Sequence, residues 1–430
     1  MDVESAGVSH DVFGDGRTVF RAGSGIFYDR PFDDIWQSAQ SNNLALATFN
    51  YQPGAGGYLS PVAAVLPLYA QQPVISDFPP ITLFQTNWKT GNAITQFLGI
   101  QQRISENLSI EAQGVLSVDR HLLTTDEINR PFSLPASIAA PNNYNLSYNP
   151  LLPEIYYRAS QGSSNYAAFN AMVHYRVSRS LFYLTYTWSH SIDNQSDPLA
   201  GDFLDLNFVG LTPTSSNSSG GTFSRQFDSS ADRGSSDFDQ RQDLAFYSIW
   251  DLPGPKRLRW LFGGWKVAQM AAFRSGFPFS IYGPASVPNA GGTILNNRAD
   301  VDGTAFFSSR VPAPGGFQIL NPAAFSAAQQ GLLGTSGRNA FTGPGFFNAD
   351  VSINRSVAVR KLGESARIVM RADFFNVLNH ANLGPPDSLI TSPTFGTALY
   401  GRIGTDSGFP ALTPFRETAR QVQLLIRLQF

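Results

Sequence analysis

Arg420-Gln-Val-Gln-Leu-Leu-Ile-Arg-Leu-Gln-Phe430 closes the 430-residue chain with Val422, Leu424, Ile426, Leu428 and Phe430 at every second position and Gln421, Gln423, Arg427 and Gln429 between them. A period of two sets the five apolar groups on one face of a β-strand. Leu425 alone breaks the polar face. With no polar tail after the aromatic, the apolar face is expected to meet either a protein core or lipid.

Composition narrows that choice. Charged residues make up 14% of the chain and phenylalanine occurs 34 times, whereas soluble domains carry about 25% charged residues. Mean hydropathy is only -0.13, and no apolar run approaches the ~18 to 20 residues of a spanning helix; the most apolar loop, 62–68, is broken by Pro67. Low charge with moderate hydropathy is expected when each spanning segment alternates a lipid face and a polar face. The absence of cysteine excludes a disulfide scaffold or a thiolate site, and a net charge of -2 gives no reason to expect a nucleic-acid partner.

Strand-like runs fall at 17–28, 92–104, 108–118, 165–177, 181–192, 238–252, 263–282, 346–360, 365–378 and 418–430. Most reach the ~9 to 11 residues that a tilted membrane strand needs. Short connections at 105–107, 178–180, 253–262 and 361–364 alternate strictly with long ones at 29–91, 119–164, 193–237, 283–345 and 379–417. The expected fold is all-β: an antiparallel up-and-down transmembrane barrel portion of roughly ten strands, with short periplasmic turns and long extracellular loops. The long segments are rich in Asn, Ser, Gly and Pro, as in Thr212-Pro-Thr-Ser-Ser-Asn-Ser-Ser-Gly-Gly221, and read as exposed, mobile loops.

Single strands repeat the two-faced pattern. Ile368, Met370, Ala372 and Phe374 oppose Arg367, Arg371 and Asp373, which are expected to form a charge ladder lining the lumen; Val351, Ile353, Val357 and Val359 oppose Asp350, Ser352, Asn354 and Arg360. Arg355 falls on the apolar side, which calls for a bulge or a position at the rim. Trp188, Trp250 and Trp265 sit near strand ends, as interfacial girdles require, although aromatics also close strands in soluble sandwiches.

Several stretches together resemble the TonB-dependent outer-membrane receptors, and among them the Oar-like receptors. They are Phe20-Arg-Ala-Gly-Ser-Gly-Ile-Phe-Tyr28, Leu184-Thr-Tyr-Thr-Trp-Ser-His-Ser-Ile-Asp-Asn194, Gly263-Gly-Trp-Lys-Val267 with Ser275-Gly-Phe-Pro-Phe279, Gly337-Arg-Asn339 through Gly343-Pro-Gly-Phe-Phe-Asn348, and Arg371-Ala-Asp-Phe-Phe-Asn-Val-Leu-Asn379. The resemblance implies an energised importer or surface receptor for a bulky solute, with about 22 strands around a plug. It also implies that Val422, Leu424, Ile426, Leu428 and Phe430 form the signal read by the barrel assembly machinery. The chain departs from the pattern in carrying about half the strands, no plug and no coupling box. Met1-Asp-Val-Glu-Ser-Ala-Gly7 lacks the basic start and apolar core of an export signal. Residues 1–16 are therefore expected to be an N-terminal remnant and 17–430 the C-terminal part of the barrel, reaching TonB only through a missing N-terminal part. The expected location is the outer membrane of a Gram-negative bacterium, with lipid around the wall and an extracellular solute of unread identity.

Enzyme and metal signatures are poor, and no cofactor is expected. His10, His121, His174, His190 and His380 lack metal-ligand spacing, and there is neither a phosphate-binding Gly-Lys loop nor a Gly-x-Ser-x-Gly elbow. Asp300 and Asp302 before Gly303, and the group Asp193, Asn194 and Asp197, could offer oxygen ligands for calcium, but a full calcium loop needs more ligands and a distal Glu that 306–310 does not supply, so solvated Asp-rich turns are the expected reading. The alternatives are a soluble secreted carbohydrate-binding β-protein, a complete ten-stranded barrel, or an outer-membrane hydrolase using His121 or His190 as its base.

Overall fold

In the computed structural model, the register of the last strand propagates across the whole wall. The structure describes residues 4–29, 34–37, 39, 42, 81–132, 147–149, 152, 155–199, 222–253, 257, 263–284, 286–287, 294–329, 331–359, 363, 365–400 and 419–429. Eleven strands follow one another in sequence order: β1 (Glu4–Asp11), β2 (Thr18–Tyr28), β3 (Asn92–Arg103), β4 (Leu108–Glu127), β5 (Ile155–Val177), β6 (Ser180–Asp193), β7 (Gln242–Asp251), β8 (Trp265–Arg274), β9 (Phe346–Ala358), β10 (Arg367–Phe375) and β11 (Gln421–Gln429). Each pairs antiparallel with the next. The sequence reading of ten strands thus becomes a path of eleven. The added one, Glu4–Asp11, is composed of small and polar residues and gave no alternating apolar signal. A short strand, Ile81–Phe84, adds parallel to Ile155–Arg158. Among the described residues β1 and β11 do not pair, so the sheet does not close on itself.

The backbone ladder carries one face from strand to strand, because directly paired residues point to the same side of a sheet. Leu424 lies opposite Ala372, which lies opposite Ile353, then Val267, then Trp250. Farther along the same face, Trp188, Phe169, Gly114, Leu98, Ala22 and Val8 form a second row. Leu424 is 76% exposed and Ile426 81%, values that suit a face solvated by hydrocarbon. A soluble protein would present this whole face to water. Arg355 sits on it opposite Trp265, the first residue of β8, with its guanidinium carbon 5.4 Å from the ring centroid. A rim position with a cation-π contact accounts for the charge. Trp250 and Trp265 stand at the short-turn rim, and Trp188 lies toward the long-loop end of its strand.

The strand ends that flank 12–17, 104–107, 178–179, 252–264 and 359–366 lie at one rim, and those that flank 29–91, 128–154, 194–241, 275–345 and 376–420 lie at the other. Strand limits differ from the sequence reading mainly at the long-loop rim. β4 and β5 run on to Glu127 and back to Ile155, whereas the run expected over 263–282 stops at Arg274, ahead of Ser275-Gly276 and Pro278. Among the described residues no helix is long and apolar enough to cross a membrane.

Described parts of two long connections are folded, contrary to the exposed loops that their composition predicts, while the stretch 212–221 lies outside the described residues. Strands Phe306–Ala313, Gly316–Leu320, Thr397–Tyr400 and Leu383–Pro386 form a four-stranded sheet in that order. Phe279, Ile281, Ala299, Leu320 and Phe395 pack as a buried core beside it. No single window holds enough apolar residues to signal a core. The two loops flanking the β9–β10 hairpin supply them jointly.

Leu424→Arg is expected to cost about 2 to 4 kcal/mol of stability in a bilayer, as a guanidinium facing lipid near the midplane does. Gln423→Arg, on the other face, should cost a small fraction of that in the same urea titration in liposomes. Equal costs would mean that the face assignment is wrong.

Candidate functional site

Three arginines from different segments organise the long-loop rim. Arg338 donates from Nη1 to Asp193 Oδ1 at 2.6 Å and from Nη2 to Asp237 Oδ1 at 2.9 Å and Ser196 Oγ at 2.7 Å. The adjacent Asn339, in the left-handed region with φ 53°, donates from Nδ2 to Asp237 Oδ1 at 2.6 Å and to the Ser235 carbonyl at 2.7 Å. Burial works against the charge on Arg338, but the carboxylates of Asp237 and Asp193 outweigh it, so its pKa is raised and the guanidinium stays ionised. Gly234 passes beneath this group; a Cβ there would lie 2.4 Å from the Arg338 carbonyl oxygen, so only glycine fits.

Arg298 forms the second node. It pairs with Asp232 at 2.6 Å and donates to the carbonyls of Ser336 at 2.9 Å and Ala231 at 3.0 Å. Arg130, fully buried, is the third, with Nη2 at 2.6 Å from Asp126 Oδ1 and further bonds to the carbonyls of Glu127, Phe223 and Ser224. Buried charges survive when both partners are paired and their remaining donors are satisfied. These three nodes clamp the end of β4, the end of β6, and the segments 222–241 and 294–339 into one body.

The clamp also sets the pose of an exposed aromatic. Phe227 has φ 64°, which a bulky residue adopts only when its surroundings impose it. Its N–H donates to Asp126 Oδ2 at 3.0 Å, on the carboxylate that Arg130 holds. The ring is 65% exposed and lies 6.0 Å from that of Tyr148, which lies 5.6 Å from Phe132. A second cluster joins Trp36 to Phe84 at 4.6 Å and to Trp88 at 5.9 Å. Trp36, Tyr148 and Phe227 are the solvent-open members of these clusters, and open rings can stack on the apolar faces of a solute.

The sequence-predicted positions fall elsewhere. Val422, Leu424, Ile426 and Leu428 lie on the apolar face of β11, and Phe430 lies outside the described residues. Arg371 and Asp373 share the opposite face and pair at 2.7 Å, with Arg367 on the same side opposite Gln429. Asn376 and Asn379, both left-handed, end β10: Asn376 N–H donates to Asp350 and Asn379 accepts from the Arg420 N–H. Asp193 belongs to the arginine clamp, and Asp300 Oδ1 accepts from the Thr335 N–H at 2.8 Å. Among the described residues no three metal-ligating side chains gather. His190 Nδ1 meets Asp239 Oδ2 at 3.0 Å, but Arg241 lies 3.1 Å from its Nε2, which closes the position a nucleophile would need; His121 meets Asn92 at 3.3 Å. Sequence reading missed Arg130, Arg298 and Phe227. Its signals for the clamp were the Gly337-Arg-Asn339 stretch, noticed without a role, and Asp193, noticed only as an oxygen ligand.

Arg338→Ala is expected to destabilise the rim by about 3 kcal/mol, because it leaves the buried Asp193 and the half-buried Asp237 without their counter-charge. Limited proteolysis should then cut within 294–339, while the heat-resistant migration of the wall persists. Unchanged protease resistance would show that the clamp does not hold the rim.

The family described as outer membrane beta barrel domain matches residues 6–423. The comparison with curated proteins found no match. Among solved structures, the chain is similar to the outer membrane transporter YddB from Escherichia coli, with 10% identity and a TM-score of 0.47 over 98% of this chain and 39% of that one. It is also similar to the FrpB iron transporter from Neisseria meningitidis, with 11% identity and a TM-score of 0.43 over 98% and 38%, and to the ferric-catecholate import receptor Fiu from Escherichia coli, with 9% and 0.40 over 98% and 34%. The chain thus spans between 34% and 39% of the length of these three structures. With 6–423 matched and a largely apolar face carried from strand to strand, the chain belongs to the outer membrane beta barrel domain family and resides in the outer membrane of a Gram-negative bacterium.

Proposed function

We propose that the chain is the C-terminal barrel portion of an Oar-like, TonB-dependent receptor that captures a bulky extracellular solute. The observation that carries this reading is the clamped long-loop rim, which holds Tyr148 and Phe227 open to solvent beside the half-buried Phe132. Unpaired outer edges on β1 and β11 among the described residues favour further strands, since a bare edge is an aggregation site. In this reading Arg367, Arg371 and Asp373 line the lumen, plug and TonB-coupling segments belong to the rest of the receptor, and the apolar face of β11 with Phe430 is the mark read by the assembly machinery. The chain performs no chemistry on the solute.

Fractionation of native cells, with an antibody to 361–378, tests the receptor assignment. The expected band lies in the outer membrane well above 46.8 kDa; a membrane band at that mass would instead make the chain a small barrel in its own right. Deleting Phe430 should deplete the membrane band, and an undiminished one would remove its assembly role. For solute capture, siderophore complexes, oligosaccharides and peptides are to be titrated against the purified protein by tryptophan fluorescence. Phe227→Ala is expected to weaken whichever probe binds on the order of tenfold, about 1.4 kcal/mol, and equal affinity would take the aromatic rim out of the binding surface.

A further inference from the structure

The turn that carries Phe227 is built against the preference of its own side chain. Arg225 to Asp228 close a four-residue turn, with the Asp228 N–H donating to the Arg225 carbonyl at 3.2 Å and Phe227 third in line at φ 64°. Of the two central residues only Phe227 has a positive φ, which is the type II pattern, and that pattern favours glycine at the third position. Two bonds dock the turn on the end of β4: the Arg130 N–H donates to Gln226 Oε1 at 3.1 Å, and the Phe227 N–H donates to Asp126 Oδ2 at 3.0 Å. The second bond sets the peptide plane between Gln226 and Phe227. Turned over, that plane would present the Gln226 carbonyl to Asp126 and give Phe227 the negative φ of a type I turn.

Asp126 stands six residues past Arg120, where pairing with β3 ends, and so roughly 20 Å above that point at strand spacing. It belongs to a buried group with one carboxylate in excess: Asp126, Glu127 and Asp232 face the guanidiniums of Arg130 and Arg298. The elements packed around them do not supply the missing cation. Segment 222–228 brings Arg225 and Asp228 as a pair, β5 brings Arg158 and, opposite Asp126, Tyr157, and segment 194–199, docked on the Thr125 backbone through Gln195, brings Asp197. Asp232 is held by Arg298 and by both the N–H and the hydroxyl of Ser224. On Asp126, Arg130 takes Oδ1 and leaves Oδ2 to the backbone. Burial outweighs the pull of Arg130 and lifts the Asp126 carboxyl to about 6. Arg130 does not hang on that charge, since its other donors go to the carbonyls of Glu127, Phe223 and Ser224.

We propose that this turn is a proton-driven switch, in which one proton taken from solvent onto Asp126 Oδ2 turns over the Gln226–Phe227 peptide. With Oδ2 ionised, the carboxylate accepts the Phe227 N–H and the ring stands beside Tyr148. With Oδ2 protonated, the new O–H donates to the Gln226 carbonyl and the Phe227 N–H passes to solvent. Phe227 then gives up its left-handed backbone, and its ring leaves Tyr148. Oδ1 stays on Arg130 in both states, so the clamp holds while the aromatic surface changes. Acid does not loosen the rim through Asp126: a carboxyl raised in the folded chain adds stability as pH falls through its folded value and loses it as pH rises. The use of the switch, release of a captured solute in acid surroundings, rests on the capture reading; the switch itself needs no solute.

The test uses the full chain in detergent micelles with a 4-trifluoromethyl analogue of phenylalanine at position 227, read by fluorine NMR from about pH 7.5 to about pH 5. Two resonances should exchange their populations with a midpoint at about 6. Asp126→Asn keeps an oxygen for Arg130 and puts a donor in the place of Oδ2, so it should show the acid resonance throughout, with heat-resistant migration as its folding control. One pH-independent resonance in the wild type, or an exchange that survives Asp126→Asn, would overturn the switch. Should Asp126→Asn fail to assemble, the label moves to Tyr148, where Phe227→Ala is expected to abolish the pH response; a response that persists would overturn the switch as well. A probe bound by the rim should lose about fivefold or more in affinity over the same range, and unchanged affinity alongside exchanging resonances would overturn the role in release. If no probe binds, the capture reading fails while the resonances still decide the switch.

Discussion

Inside a bilayer no water is available to a peptide group, so each N–H and C=O of the wall must find its partner on a neighbouring strand. That requirement fixes far more than secondary structure. Once Leu424 pairs with Ala372 and Ala372 with Ile353, the side of the sheet that each later residue occupies is already decided. A slip of one residue in any pair would turn a whole strand inside out and expose Asp373 or Gln423 to lipid. The paired backbone is therefore the source of the two-faced wall.

The rim answers a different problem. Above the hydrocarbon the chain is free to solvate its polar groups, yet it buries Arg130, Arg298 and Arg338 with their carboxylates. Such pairs gain little net stability over an apolar packing of the same shape, but each demands its own partner in its own geometry. They give the loops one arrangement. Phe227 inherits its strained backbone from that arrangement through a single hydrogen bond to Asp126.

The wall was legible in the sequence and the rim was not, for reasons of distance along the chain. Val422 to Leu428, Ile368 to Phe374 and Phe182 to Trp188 each announce a strand within a few residues, because a face of period two is a local property. Glu4–Asp11 escaped because its neighbours, not its own side chains, make it a strand. The buried core that the two long connections form above the β9–β10 hairpin, the cap of the rim, escaped because Phe279 and Phe395 stand in different loops, and Arg338 is 145 residues from Asp193. Gln, Asn and Ser between them dilute any window that could have signalled burial. Arg355 was visible as an exception but intelligible only beside Trp265.

The distribution of the cap across two connections has a temporal meaning. Its core takes Phe279, Ile281, Ala299 and Leu320 from before the β9–β10 hairpin and Phe395 from after it, while its clamp reaches back to the ends of β4 and β6. Contacts so far apart in sequence form late, since the intervening chain must first be brought to a fixed length by its own structure. The cap cannot mature on a half-built wall. Its closure is a checkpoint built into the topology, withholding the solvent-facing surface of the rim until the hairpin beneath it is in place.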